Sequence, residues 1–163
     1  MALVNDTLLA GNTFGYPHKG NSRILTITTM PIAPTATAAV LATRFAWGGL
    51  GATGGFKVLN LGIKAVGVDL VMGADETTPL VVTAYLETAA GTQTDKGNVT
   101  LTADMTIEHE DPPCYDDSFA AFYVAPGQML ILEHTTAATG TSTGAYSIVC
   151  QIELDPAGVH ATD

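Results

Sequence analysis

Residues 119–154 read FAAFYVAPGQMLILEHTTAATGTSTGAYSIVCQIEL, and they decide the fold class. At their end Tyr146, Ile148, Cys150, Ile152 and Leu154 alternate with Ser147, Val149, Gln151 and Glu153, the two-residue period of a strand with one buried face. The run MLILEHT, from Met129, opens with consecutive apolar residues, as a strand covered on both faces does, and Pro126-Gly127 supplies the turn ahead of it. With the segment before that turn, these strands form the spine of a β-sandwich or barrel.

The same signals recur upstream. RILTITTM, 23–30, is rich in β-branched residues and predicts a first strand, stopped by Pro31 and Pro34. The stretch 35–47 mixes Ala-rich helical character with Val40, Arg44-Phe45 and Trp47; strand is the reading for 40–47. After the glycine-rich loop 48–55, residues 56–63 and 65–72 predict two strands or one long bent strand. Leu59, Leu61 and Ile63 share one face, Val66, Val68, Leu70 and Met72 another, and the change of phase near Lys64 predicts a bulge or a crossing between sheets. PLVVTAYLE, 79–87, is a strand, 88–98 a polar loop, and VTLTADMTIE, 99–108, an alternating strand with Val99, Leu101, Ala103, Met105 and Ile107 inward. Eight or nine short strands without an amphipathic helix predict an all-β, antiparallel sandwich, jelly-roll-like in the first place and immunoglobulin-like in the second. Residues 1–21 read as an N-terminal arm, 22–156 as the sandwich domain and 157–163 as a C-terminal tail.

Composition sets the surface. Of 163 residues 47% are hydrophobic and 13% charged, against a usual charged share of about 25%. Thr (24), Ala (23) and Gly (17) replace the missing charge. With a mean hydropathy of +0.28 and apolar runs far too short to span a bilayer, the apolar excess belongs at a subunit interface, which predicts an oligomer and no membrane segment. MALVNDTLLAGNTF carries no basic region before an apolar stretch, so no signal peptide is expected. The net charge is −10: all six basic residues precede position 97, and the chain from Gly97 on holds ten acids and no Lys or Arg. That excess repels phosphate and argues against nucleic acid as a partner.

Candidate chemistry is sparse. Gly49-x-Gly51-x-x-Gly54, with Asp75 beyond it, matches the dinucleotide fingerprint, but a strand-like run follows where the motif needs a helix, so a hairpin loop is the reading. EHEDPPCYDD holds Glu108, Glu110, Asp111, Asp116 and Asp117, oxygen ligands enough for Ca²⁺ yet in no EF-hand spacing; a solvated or partner-facing acidic loop is the alternative. His18, His109, His134 and His160 are scattered and read as surface histidines, although His109 and His134 could converge on a metal. Cys114, placed in a loop, and Cys150, buried on its strand, read as reduced thiols rather than a disulfide. Trp47, Tyr85, Tyr115, Phe122 and Tyr123 are candidates for a sugar-stacking platform, with Phe122 or Tyr123 claimed by the core. No nucleophile motif is present, so catalytic, cofactor and metal residues are assigned to none.

A small, acidic, lightly charged all-β domain rich in Thr, Ala and Gly resembles the bacteriophage capsid decoration, or cement, proteins in style along its whole length. The resemblance implies a non-enzymatic viral structural protein, made in the host cytoplasm. It would be a homo-oligomer, a trimer, that sits on the outer surface of the virion, binds the major capsid protein lattice and grips it with the N-terminal arm. The alternatives are a jelly-roll carbohydrate- or receptor-binding module using the acidic loop with calcium, a fibre or tail component, and an enzyme on a β-scaffold.

Overall fold

The computed structural model describes residues 23–36, 42–45, 55–73, 79–105, 114–115, 118–138 and 141–155. Nine strands run through them: β1 (Arg23–Thr28), β2 (Ala42–Phe45), β3 (Gly55–Ala65), β4 (Leu80–Glu87), β5 (Gln93–Leu101), β6 (Cys114–Tyr115), β7 (Phe122–Val124), β8 (Met129–Thr136) and β9 (Tyr146–Asp155). Seven carry the two sheets, four strands in one and three in the other. The remaining two, β6 and β7, are pieces of two and three residues added along β3.

One sheet runs β1-β9-β3-β6, with β7 also on β3, and the other runs β2-β8-β4-β5. Every pairing is antiparallel. β1 pairs with β9, β2 with β8, β3 with β6 and β7, and β4 with β5, so the chain is one long ribbon doubled back at the β4–β5 turn. Rolling that ribbon up adds β9 to β3 and β8 to β4, which is the winding of a jelly roll. An immunoglobulin-like order keeps the first two strands in one sheet; here β1 and β2 lie in different sheets.

Two strands differ from their sequence reading. In β3 the register on β9 shifts between Val58 and Asn60, so the bulge lies at Leu59 rather than near Lys64. Phe56 and Val58 before it, and Leu61, Ile63 and Ala65 after it, all reach the core, while Leu59 does not. The side chain of Asn60 repairs the ladder there: its Oδ1 accepts from the Gln151 N–H (3.0 Å) and its Nδ2 donates to Gln151 Oε1 (2.8 Å). Residues 66–72, read as the second strand, form none; only isolated bridges, Leu70 to Met105 and Val71 to Thr143, continue the pattern. β5 begins at Gln93, inside the segment read as a polar loop, and ends at Leu101; Ala103 is exposed and residues 106–108 lie outside the described residues. Partnering by β4 supplies what polarity hid, since a strand's hydrogen bonds do not need apolar side chains.

The core lies between the sheets. Phe56, Val58, Leu61 and Ile63 of β3 face Ile148, Cys150, Ile152 and Leu154 of β9 in register, and Leu80, Val82 and Ala84 of β4 with Leu130 and Leu132 of β8 close it from the other sheet. β9 departs from simple alternation in its first half: Ser147 and Val149, on the outer face, are buried too. In register, only side-chain-less Gly62 stands between Val149 and Tyr115 of β6.

The β1–β2, β3–β4 and β8–β9 connections and the residues following β5 meet at one end. Ala138 N–H donates to Pro34 O (2.9 Å), Met72 N–H to Asp104 Oδ1 (2.7 Å) and Gly73 N–H to Ser142 Oγ (3.0 Å). Among the described residues no helix is long and apolar enough to cross a membrane. The arm 1–21 and tail 157–163 lie outside them.

Gly144 shows how tight this end is. Its φ is +100°, and a Cβ there would strike the carbonyl oxygen of Asp69. Gly144→Ala is expected to cost about 3 kcal/mol by strain and overpacking together. Gly91→Ala, at φ +84° but facing open space, is expected to cost only about 1 kcal/mol. Urea unfolding of both variants measures the difference; equal costs would contradict the packing described.

Candidate functional site

The most constrained polar group is His134. Leu130, Leu132 and His134 occupy alternate, inward positions of β8, so the ring enters the core and is fully buried. Its Nε2 lies 3.0 Å from the Ala36 carbonyl, which can only accept, so Nε2 carries the proton. Nδ1 is then the acceptor for the hydroxyl of Tyr146, which reaches across from β9 in the opposite sheet. One imidazole thus ties together both sheets and the β1–β2 connection. Burial lowers the pKa of His134 below its ordinary 6.5, and burial raises that of the Tyr146 phenol, so a neutral imidazole and a protonated phenol are the species present at neutral pH.

This placement corrects the surface reading of His134. Both ring nitrogens are taken, so the side chain offers no lone pair to a metal, and convergence with His109 has no chemical basis; His109, His18 and His160 lie outside the described residues. The signal was available in the sequence, since His134 shares the parity of Leu130 and Leu132. Among the described residues no group of three His, Cys, Asp or Glu is placed to hold a metal ion.

The other candidates separate. Of EHEDPPCYDD, only Cys114-Tyr115 belongs to the described residues, and its backbone forms β6 rather than a loop; Glu108, Glu110, Asp111, Asp116 and Asp117 lie outside them. Cys114 and Cys150 sit on strands either side of β3, opposite Ile63 and Leu61, so two strand spacings and two residues of rise place them about 12 Å apart, beyond the reach of a disulfide. The Cys150 thiol is buried in the core, and its pKa is pushed up to about 12 by desolvation, so it is not a nucleophile at neutral pH.

The aromatics do not form one platform. Phe122 pairs with Val58 and turns inward, packing at 6.0 Å between ring centroids on Phe119, with Lys96 Nζ 5.7 Å from its ring. Tyr115 and Tyr123 belong to the outer face of the first sheet and Tyr85 to the outer face of the second, on the opposite side of the molecule. Trp47, Gly49, Gly51, Gly54 and Asp75 lie outside the described residues. The glycine-rich run leads into β3, a strand, where a dinucleotide site needs a helix N-terminus.

The outer faces of the two sheets are mixed in character: the first carries Lys57, Lys64 and Glu153 among uncharged polar residues, and the second carries Glu87, Asp95 and Glu133 among threonines. On the first, Thr26 of β1 pairs with Gln151 of β9, which pairs in turn with Asn60 of β3 and hydrogen-bonds to it. On the second, the hydroxyls of Thr83 and Thr135 bond each other at 2.8 Å, and Thr135 also reaches the Val81 carbonyl at 3.1 Å. Ile24, Met30, Val68 and Val71 stand exposed, Met30 at 80%. Neither the family models nor the curated proteins compared with this chain match it.

The histidine sets an expected pH dependence. Because the folded pKa of His134 is lowered, the unfolded chain binds more protons below pH 6.5; the stabilisation is complete above that pH and is lost as pH falls toward the folded value. The slope from this single site is at most about 1.4 kcal/mol per pH unit. Denaturant unfolding of the native protein and of His134→Leu between pH 7 and pH 5 is expected to show this fall in the native protein and its reduction in the variant. Parallel pH profiles would contradict the assignment.

Proposed function

We propose that this chain is a non-enzymatic structural protein of a bacteriophage virion, a capsid decoration (cement) protein that associates with its own copies and stabilises the outer surface of the shell. The observation that carries the reading is the pair of sheet faces. Polar side chains on them hydrogen-bond within the sheet, as in Asn60–Gln151 and Thr83–Thr135; Ile24 adds exposed apolar area on β1, and Met30, Val68 and Val71 add more in the β1–β2 and β3–β4 connections. Docking the β1 side of the first sheet, where Ile24 to Thr28 carry no charge, onto a protein lattice keeps the desolvation cost that opposes most polar surfaces small. The jelly-roll winding fits the same reading, since virion proteins commonly use it. The acid excess from Gly97 onward suits a face turned away from packaged DNA.

A calcium-dependent carbohydrate- or receptor-binding module is the second reading. It is favoured by the five acids from Glu108 to Asp117, oxygen ligands enough for Ca²⁺.

Co-sedimentation of the purified protein with shells of the virus that encodes it separates the two. The decoration reading expects saturable binding and a higher dissociation temperature for decorated shells, with no shift in the protein's own melting when calcium replaces chelator. No binding to shells, together with calcium stabilisation of about 2.7 kcal/mol at 100 times the dissociation constant, would move the assignment to the second reading.

A further inference from the structure

A β-sandwich has four sheet edges, and each is a template for pairing unless it is blunted by shortness, charge, proline or a bulge. Three edges of this protein are blunted. The far edge of the first sheet is made of β6 and β7, two and three residues long. In the second sheet β2 has four residues and includes Arg44, while β5 carries Asp95 and Lys96 and is bulged, because the register on β4 passes from Gly97 to Asp95 and leaves Lys96 unmatched.

Among the described residues the fourth edge, β1, is paired on one side only, and its single charge, Arg23, stands at its first position. Its sequence is RILTIT; residues Ile24 to Thr28 are without charge or proline, and the six pairs with β9 run without a register shift. The backbone phase is fixed at its end, where Thr29 N–H donates to Ile148 O at 3.0 Å. Antiparallel strands alternate between bonded and non-bonded pairs, so Ile27 and Leu25 also bond inward to β9, and the N–H and C=O groups of Ile24, Thr26 and Thr28 point to the open side. The same three residues have exposed side chains on the outer face, with Ile24 at 63%.

We infer that β1 is the self-association strand of this protein and pairs antiparallel with β1 of a second copy about a two-fold axis at Thr26. The second copy is the occupant because, with the other described edges blunted, the edge of this protein that matches β1 is β1 of the next molecule, an isologous contact. A heterologous contact needs a second, different open surface, and the other three edges are blunted. The register sets Thr26 against its symmetry mate and Ile24 against Thr28, and it forms about six backbone hydrogen bonds. Charge does not oppose it: Arg23, the one ion on β1, lies three residues from the axis, so the two arginines are about 20 Å apart, well beyond the screening length. The contact joins two first sheets into one continuous sheet and brings the Thr26 and Thr28 residues of both copies together at the seam. It gives a dimer where the decoration resemblance implies trimers. It deepens only the self-association half of the proposed function: a dimer that ignores shells contradicts the capsid half alone, and a monomer that binds shells contradicts the edge pairing alone.

The test is the solution mass of the full chain by sedimentation at about 100 μM, a hundredfold above a micromolar dissociation constant. The native protein is expected at twice the 16.8 kDa chain mass, Thr26→Lys at the single mass with unchanged circular dichroism, and Val68→Lys, off the edge, at the double mass. Hydrogen exchange on the unmodified protein gives a second reading that needs no variant. The amides of Ile24, Thr26 and Thr28 are expected to exchange more slowly as concentration rises, while those of β5 do not change. A native monomer, a native trimer, a Thr26→Lys dimer, or exchange at these three amides independent of concentration would each overturn the inference.

Discussion

Everything else in this molecule depends on β9 being hydrogen-bonded along both sides, to β1 on one and to β3 on the other. That insertion brings the chain's last strand between its first and third, and only then do the two halves of the ribbon face each other as two sheets. The pairs it creates, such as Thr26 with Gln151 and Leu61 with Cys150, join residues far apart in sequence, so loop-closure entropy is spent before these contacts stabilise anything. A fold of this kind is slow to assemble and exposes unpaired edges while it does so. The blunting of β2, β5, β6 and β7 is the corresponding protection.

β9 also carries half of the polar link across the core. Tyr146 and His134 belong to different sheets and satisfy each other, and the second imidazole nitrogen reaches Ala36 in the connection that leads from one sheet to the other. An apolar pair could fill that volume; the hydrogen-bonded pair in addition fixes the relative position of the sheets, because a shift of either strand leaves a buried donor or acceptor without its partner.

What could be read from the sequence was what one strand shows by itself. The alternation of 146–154 and the apolar run at 129–132 mark β9 and β8 because each has a face the core selects, and PLVVTAYLE marks β4 for the same reason. The bulge at Leu59 was misplaced because nothing in the side-chain pattern says that Asn60 will stand in for a backbone carbonyl. The start of β5 is hidden in the sequence, since QTDKG pairs with β4 through its backbone while Gln93, Thr94 and Asp95 face water. The buried role of His134 was missed although its parity with Leu132 was visible, because parity locates a side chain and only the opposite sheet supplies its partner. Which edges are open is not a property of any single segment, so β1 reads as an ordinary first strand until the sheet order is known. The low charge was legible from composition, but that it leaves two faces with internally paired amides and hydroxyls required the register.

The topology is therefore the proposition to test most directly. Where antiparallel residues form a non-bonded pair, their α-protons are close enough for a strong nuclear Overhauser effect. In the labelled protein such effects are expected for Thr26 with Gln151 and for Leu61 with Cys150, placing β9 between β1 and β3. Effects linking β9 instead to β8, as a simple hairpin, would contradict the jelly-roll winding and with it every statement about which edge is open.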